Sequence, residues 1–380
     1  MRSTLACLLL PIMAATPALA EESAPLQFTL NTDGGIKVAN HDKSATFQLG
    51  GRLQFDYDAT ESKDNQLDTE DFDVRRARLY VKGHVGDWGY KAQFNIAESD
   101  GGKGGNAEDL YLSYLGFGKQ AQITIGKQAE PFGLERLMSS KDISALERSA
   151  MTELHSPGRA LGVKLHGVGS NWTYALGVFE SDGDGGNDFE HKAMTGRFTY
   201  TPYQVGDAVI HLGASYTQRD ADVSEDEVKG YGLELAASSG PLHLQAEYFG
   251  SEFGDEDLDG FYVQGGWVIT GESRPYKQGN FGRVKPGNAY GAWELVLRFE
   301  QGDGNYGDIG LDKSTQVYDG NMYTLGVNYY ADKNVRLGST TPRVKPRTCW
   351  GTSSAAVNCG PGSSTPFNSM AAPGVVTVLS

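Results

Sequence analysis

The chain has 380 residues, 50 of them glycine, with 19 tyrosines, 16 phenylalanines and 5 tryptophans, and its 33 Lys and Arg against 48 Asp and Glu leave a net charge of −15. That acidity argues against a nucleic-acid partner, which needs a basic face, and no apolar run reaches the roughly 18 residues of a membrane helix. The aromatic residues are too many and too evenly spread for a disordered chain, and the length fits two or three ordinary domains or one large closed β-barrel.

Residues 1–20, MRSTLACLLLPIMAATPALA, read as a secretory signal peptide. Arg2 supplies the positive start, Leu5 to Ile12 the short apolar core, and Ala18 and Ala20 the small residues of a cleavage site. The mature chain is therefore predicted to begin at Glu21. Export would permit disulfides, but Cys7 leaves with the signal, and Cys349 and Cys359 both lie near the C-terminus. No disulfide framework is expected in the body of the fold.

From residue 47 onward the dominant period is two. Phe47, Leu49, Leu53, Phe55 and Tyr57 share one parity, while Gln48, Arg52, Gln54 and Asp56 share the other. Tyr90/Ala92/Phe94/Ile96, Leu161/Val163/Leu165, Ile210/Leu212/Ala214/Tyr216 and Trp293/Leu295/Leu297/Phe299 repeat the pattern. Such alternation predicts β-strands with one apolar face: fourteen between 47 and 331, and a fifteenth starting near Asn334. Two all-β architectures compete. A soluble sandwich buries its apolar face; a transmembrane antiparallel β-barrel shows that face to lipid and keeps a polar lumen. Segments of about 9–13 residues, aromatic residues at the ends of apolar faces (Tyr57, Trp88, Phe117, Trp172, Tyr200) and alternating short and long connections favour the barrel. The segment 271–288 breaks this rhythm, being long where a short turn is due.

The long connections hold most of the acid, as in 61–73, 180–190, 219–227 and 251–260. They read as solvated surface, or as a surface bridged by divalent cations to lipopolysaccharide. Asp255, Asp257, Asp259 and Gly260 mimic the start of a calcium hand, but the twelfth position is Gly266 and the segment runs into a strand, so neither metal nor cofactor is expected. The strands differ. In DVRRARLYVKGHV (73–85), Ala77, Leu79, Val81 and Val85 take the lipid parity, which sends Arg76, Arg78, Lys82 and His84 to the lumen. A charge on the lipid side would cost about 2–4 kcal/mol at the midplane. Arg75 has the outward parity and must sit at the rim or on a bulge. Other inward cations are Arg52, Lys91, Lys164, Arg197 and Arg298; inward acids are Asp56, Asp109, Glu234, Glu247 and Glu294. Such a lumen is either a mixed, water-filled pore without ion preference or an anion-selecting one.

DVRRARLYVKGHVGDWGYKAQFNIAE (73–98), AEDLYLSYLGFGKQAQITIGKQAEPFGLERLMSSKDISALERS (107–149), TGESRPYKQGNFGRVKP (270–286) and GAWELVLRF (291–299) resemble the phosphate-selective porin O/P family, over about 45–338. The resemblance implies a sixteen-stranded, trimeric outer-membrane barrel that passes phosphate or polyphosphate. Its third external loop, here 129–158, would fold inward as the constriction. Carried over residue by residue, the anion site would comprise Arg75, Arg76, Arg136 (where the family usually has lysine), Ser139 and Ser140, with Asp109 nearby. The loop carries Arg136, Lys141 and Arg148 against Glu130, Glu135, Asp142, Glu147 and Glu153. The strand arginines must therefore supply the field, with the loop acids turned to the wall.

The family pattern fails at the C-terminus. Residues 339–380 hold no Asp or Glu, show no clean alternation and end on Ser380, where relatives would close on an aromatic residue. The barrel is accordingly predicted over 21–338, with 339–380 a foreign tail such as a shifted reading frame would produce. Three other functions compete: a general or cation-preferring diffusion porin, a structural or adhesive barrel, and an enzyme. The last has little support. No H-E-x-x-H or G-x-S-x-G occurs, and the adjacent His155 and Ser156 do not by themselves make a nucleophile and base.

Overall fold

The computed structural model describes residues 27–31, 35–60, 69–97, 105–181, 191–220, 227–253, 256–303 and 320–346. The signal segment and the acidic stretches 182–190 and 221–226 lie outside them, as does most of 61–73. Two five-residue strands come first, β1 (Gln27–Asn31) and β2 (Gly35–Ala39). The alternation starting at Phe47 did not announce them. Then follow β3 (Ala45–Thr60), β4 (Thr69–Val85), β5 (Trp88–Asn95), β6 (Asn106–Tyr114), β7 (Gln122–Ala129), β8 (Arg159–Val168), β9 (Trp172–Glu180), β10 (Lys192–Val205), β11 (Ala208–Asp220), β12 (Glu227–Ser239), β13 (Leu242–Phe253) and β14 (Glu256–Val268). After the two-residue strands β15 (Tyr276–Lys277) and β16 (Asn280–Phe281) come β17 (Ala292–Asp303), β18 (Gly320–Tyr330) and β19 (Arg336–Pro346). All but β15 and β16 join one 17-stranded sheet. Each strand pairs antiparallel with the next in sequence, from β1–β2 to β18–β19.

Burial is inverted relative to a soluble protein, and this decides between the two all-β architectures. On β10, Met194, Phe198 and Tyr200 are exposed while Thr195, Arg197 and Thr199 are buried. On β17, Leu297 is 61% exposed and Arg298, one residue on, is 4% exposed. An apolar outer face and a polar inner face belong to a barrel in lipid. Aromatic pairs sit at strand ends, as Trp88–Tyr114 (centroids 5.1 Å apart) and Trp293–Tyr329 (4.8 Å) do; such amphipathic rings suit the membrane–water interface. The β4–β5 turn is the two residues 86–87, with Gly86 at φ 55°, a conformation that favours glycine and closes a tight hairpin.

Between β7 and β8 the chain turns in against the polar face. This segment contains the short helices α1 (Leu134–Leu137) and α2 (Ala150–His155). Its side chains and carbonyls reach strands from both ends of the chain. Glu147 meets Arg76 on β4, Ser149 meets Glu300 on β17, and the carbonyls of Ile143 and Ser144 accept from Arg336 on β19. In the sheet β19 is followed by β2, β3 and β4, so one segment can touch β4 and β19 together.

Apolar residues seat it. Phe132 and Met151 pack with Phe249 and Tyr262; Leu134, Met138 and Ile143 pack with Val209, Ala236 and Phe281. Gly260 on β14 leaves room for Met151, whose Sδ would lie 2.2 Å from any added Cβ. Phe281 comes from the other odd segment, 269–291, which also enters the lumen. The Tyr276 hydroxyl hydrogen-bonds Thr201 and His211, and Arg274 donates to the Asp142 carbonyl at 2.6 Å. The two inward segments therefore meet beside β10–β19 and leave the β2–β8 wall facing the open lumen.

The C-terminal boundary expected at 338 falls inside a strand. β19 pairs with β18 from Arg336↔Tyr330 to Pro346↔Gly320. An extended backbone ladder tolerates the irregular composition of 339–346, because its hydrogen bonds are made by main-chain groups, although Pro342 and Pro346 have no N–H to donate. Residues 347–380 lie outside the described residues.

Candidate functional site

The paired arginines owe their position to a break in register. Gln54 pairs with Arg76 and Asp56 with Asp73, so Val74 and Arg75 face the single residue Phe55. A β-bulge adds one residue to one strand and re-aims its side chains. Here it lets two consecutive arginines serve the same face. Arg75 Nε lies 3.2 Å from Glu147 Oε1 and 3.8 Å from Asp56 Oδ2. Arg76 donates to Gln54 Oε1 at 2.9 Å and through both terminal nitrogens to Glu147.

Below them runs a basic ladder fixed by strand register. Arg52 pairs with Arg78 across β3–β4. One level further, Lys37, Gln48, Lys82, Lys91 and Tyr111 stand in register on β2 to β6. They line a cavity of about 510 Å³ with His84 and Tyr90. Arg52 Nη1 reaches Ser139 Oγ at 3.4 Å, which brings the loop serine to the strand cations. Ser140 Oγ is buried without a hydrogen-bond partner among the described residues. Arg52, Lys82 and Lys141 have no carboxylate within 4.0 Å among the described residues, and Lys82 lies over the Tyr80 ring at 5.3 Å. Burial holds the Lys141 ammonium below the ordinary lysine value; Arg283, Arg52 and Lys285 act in the same direction, and Asp142 opposes them.

Other cations expected along the pore are paired. Lys91 Nζ lies 2.5 Å from Asp109 Oδ2, and Arg159 Nε donates to Asp109 Oδ1 at 2.9 Å. Arg78 pairs with Glu108 at 2.5 Å, and Lys164 donates to the Ala129 carbonyl. Arg197 and Arg298 have the inner parity but do not reach open lumen. Arg197 forks onto Glu234 at 2.7 and 2.6 Å. Arg298 stands 3.4 Å from Glu135, and its Nε is 2.8 Å from Glu300 Oε1 but off the line a hydrogen bond needs. Both are covered by the inward segments. Period two separates lumen from lipid; it does not separate open lumen from lumen under a loop.

The loop acids divide into two groups. Glu130 and Glu135 turn to the wall, onto Thr195, Arg219 and Arg298. Glu147 and Glu153 do not. Glu147 holds Arg75 and Arg76, and Glu153 pairs with Arg136 at 2.5 Å and Arg148 at 3.4 Å. Arg136 also donates to the Pro157 carbonyl. Glu247 on β13 fixes the loop's entry, accepting from the backbone N–H groups of Leu134 (2.5 Å) and Glu135 (3.0 Å) just after Gly133, whose φ is 68°. His155 bonds Ser251 at 2.8 Å and stacks on Phe249; burial pushes its imidazole down to about 4, so it sits neutral against the wall. Arg159 and Glu108 went unnoticed in the sequence because alternation from Leu161 gives Arg159 the outward parity. It opens β8, where the chain leaves the loop, and turns to Asp109.

The charge distribution is thus one-sided. Six carboxylates, Glu130, Glu135, Glu234, Glu247, Glu294 and Glu300, are buried among β10–β19 and the loop, while on the wall opposite the cations outnumber their acid partners Asp56, Glu108 and Asp109.

Residues 47–228 and 217–340 match the family described as phosphate-selective porin O and P. Porin O of Pseudomonas aeruginosa is 29% identical over 413 aligned residues, covering 88% of this chain and 93% of that one. An uncharacterized protein of Caulobacter vibrioides is 26% identical over 344 residues, covering 77% of this chain and 67% of that one. Among solved structures, the anion-selective porin from Comamonas acidovorans aligns with a TM-score of 0.58 at 14% identity, over 88% of this chain and 98% of that one. A loop-deletion mutant of the Vibrio cholerae outer-membrane protein OmpT aligns at 0.54 and 14% identity, over 80% and 94%. These structures share the outer-membrane barrel fold. With the register, the inverted burial and the inward loop on one side and a family match spanning most of its length on the other, this chain belongs to the phosphate-selective porin O and P family.

Proposed function

We propose that the protein is an outer-membrane channel for passive, anion-selective uptake of phosphate or polyphosphate, working as a homotrimer among outer-membrane lipid and lipopolysaccharide. One observation carries the reading: on one side of the lumen Arg52 and Lys82 have no carboxylate within 4.0 Å among the described residues, beside the pairs Arg78–Glu108 and Lys91–Asp109, while the carboxylates opposite are buried. A net charge of −15 does not oppose it, because a permeating ion meets the local field and not the total, and exposed charges beyond a Debye length are screened. Rings of Arg and Lys select anions, and guanidinium forks match phosphate oxygens. The site would comprise Arg75, Arg76, Arg136, Ser139 and Ser140, with Asp109 holding Lys91 and Arg159 in place.

The test is a planar-bilayer recording. In a potassium chloride gradient the reversal potential should follow chloride, and inorganic phosphate should reduce chloride current saturably. Replacing Arg76 and Arg136 together by alanine should weaken that block at least tenfold, since one lost charge-assisted bond is worth roughly 1.5–3 kcal/mol. A reversal potential that follows potassium would support the general or cation-preferring porin instead. The segment 347–380 is proposed to contribute no strand, having neither acid nor alternation. A chain ending at Pro346 should then fold into outer-membrane vesicles with unchanged yield, and a loss of folded protein on that truncation would count against it.

A further inference from the structure

We infer that Glu147 is a resident anion of the constriction: its carboxylate occupies the Arg75–Arg76 site, and a permeating anion must displace it. The inference rests on the proposed function and names the side chain that sets how tightly the site holds its substrate. A carboxylate gripped by two guanidiniums presents what a phosphate would present, two oxygens in one plane facing paired N–H donors. Arg76 Nη1 meets Oε1 at 3.1 Å and Nη2 meets Oε2 at 3.2 Å, while Arg75 Nε approaches Oε1 at 3.2 Å.

Two features separate this carboxylate from the loop's structural acids. The Glu147 side chain is 40% exposed, whereas the Glu135 and Glu130 side chains are 1% and 2% exposed. Its main chain is also held independently of its carboxylate. Arg298, from the opposite wall, donates to the carbonyls of Glu147 (3.1 Å) and Arg148 (3.4 Å). Arg148 in turn is tied to the carbonyls of Glu135 and Met138. The carboxylate therefore leaves its arginines by rotating the side chain, with the loop in place.

The carboxylate remains charged while it waits. Burial alone would raise it, but Arg76 and Arg75 outweigh burial and hold it below the ordinary glutamate value. Conduction requires sites that bind well enough to admit an ion and weakly enough to release it. Two bare guanidiniums in a narrow lumen would hold a phosphate dianion too long. A tethered competitor shortens that stay, because the returning carboxylate replaces the departing phosphate.

The test uses the full chain in planar bilayers, with inorganic phosphate as the probe and its block of chloride current as the readout. Glu147→Gln keeps the shape and removes the charge. The phosphate concentration that halves the current should fall about tenfold or more in this variant. Glu147→Asp, with a shorter arm and the charge kept, should lower it by a smaller factor, and it serves as the measurement if the glutamine variant does not assemble. A side chain that only braced the loop would give weaker block in both variants. Unchanged or weaker block in an assembled channel overturns the inference. Absence of phosphate block in the wild-type channel is a different result: it refutes the function on which the inference rests.

Discussion

Replacing Arg52 and Lys82 together by glutamate is expected to reverse the selectivity, moving the reversal potential in a potassium chloride gradient from the chloride side to the potassium side. The two residues stand on adjacent strands of the open wall, in the cation rows at the Arg52↔Arg78 and Gln48↔Lys82 registers. Neither has a carboxylate within 4.0 Å among the described residues, so the exchange strands no buried acid. Arg52 gives up a contact to Ser139, and Lys82 its place over Tyr80. At a distance of about 8 Å and an effective dielectric constant of about 40, one charge contributes ~1 kcal/mol to an ion in the lumen. A reversal doubles that, and two reversals give ~4 kcal/mol, several hundredfold in partition. Screening reduces the factor, but the sign of the effect survives it. The acids on the far wall add little to the change, because they are buried beneath the inward segments. A double variant that keeps the wild-type reversal potential, with its electrophoretic shift on heating intact, would place the selecting field elsewhere in the lumen.

Much of this arrangement was legible in the residues, and the part that was not has a single physical cause. Alternation located fourteen strands and the start of a fifteenth, and it fixed which side of each faces lipid, because the membrane punishes charge on the wrong face. The same reasoning required a bulge or a rim position for Arg75, and the register break opposite Phe55 is that bulge. What alternation could not show is contact across the lumen. Arg298 and Glu135 are separated by 163 positions, and Arg336 and Ile143 by 193; nothing periodic links them. An inward arginine reads the same whether it faces water, as Arg52 does, or lies beneath a loop, as Arg197 does. The loop acids were expected at the wall. Glu130 and Glu135 are there, but Glu147 and Glu153 pair with arginines instead. The short strands β1 and β2 were missed because five residues hold too few alternations to stand out. The excess length of 271–288 was noticed without its meaning, which is a second segment packed inside the barrel against the first.

Arg298→Ala should be the most destabilising single change, because that arginine holds the loop to the barrel by charge and by main chain at once. Its guanidinium stands between Glu135 of the loop and Glu300 of its own strand, and it donates to two loop carbonyls. Removing one partner of a buried ion pair costs about 3–5 kcal/mol, since the remaining charge keeps its desolvation penalty and loses its compensation. Glu135 is the residue most affected. Burial already raises its carboxyl above the ordinary glutamate value, and Arg298 is the main charge restraining it. A raised folded-state value means that the folded form takes up the proton first. Stability is therefore greater below that value and declines as pH rises through it, and without Arg298 the window widens upward. The variant should lose its heat-resistant folded band at a clearly lower temperature than the parent at pH 8, with a smaller gap at pH 5. Its channels should conduct more and discriminate less, as the loop leaves the wall that seats it. Arg298→Lys keeps a charge but cannot fork, so it should fall between the two. If the alanine variant instead melts with the parent at both pH values, then Glu247, the apolar seats of Phe132 and Met151, and Arg336 hold the loop without it.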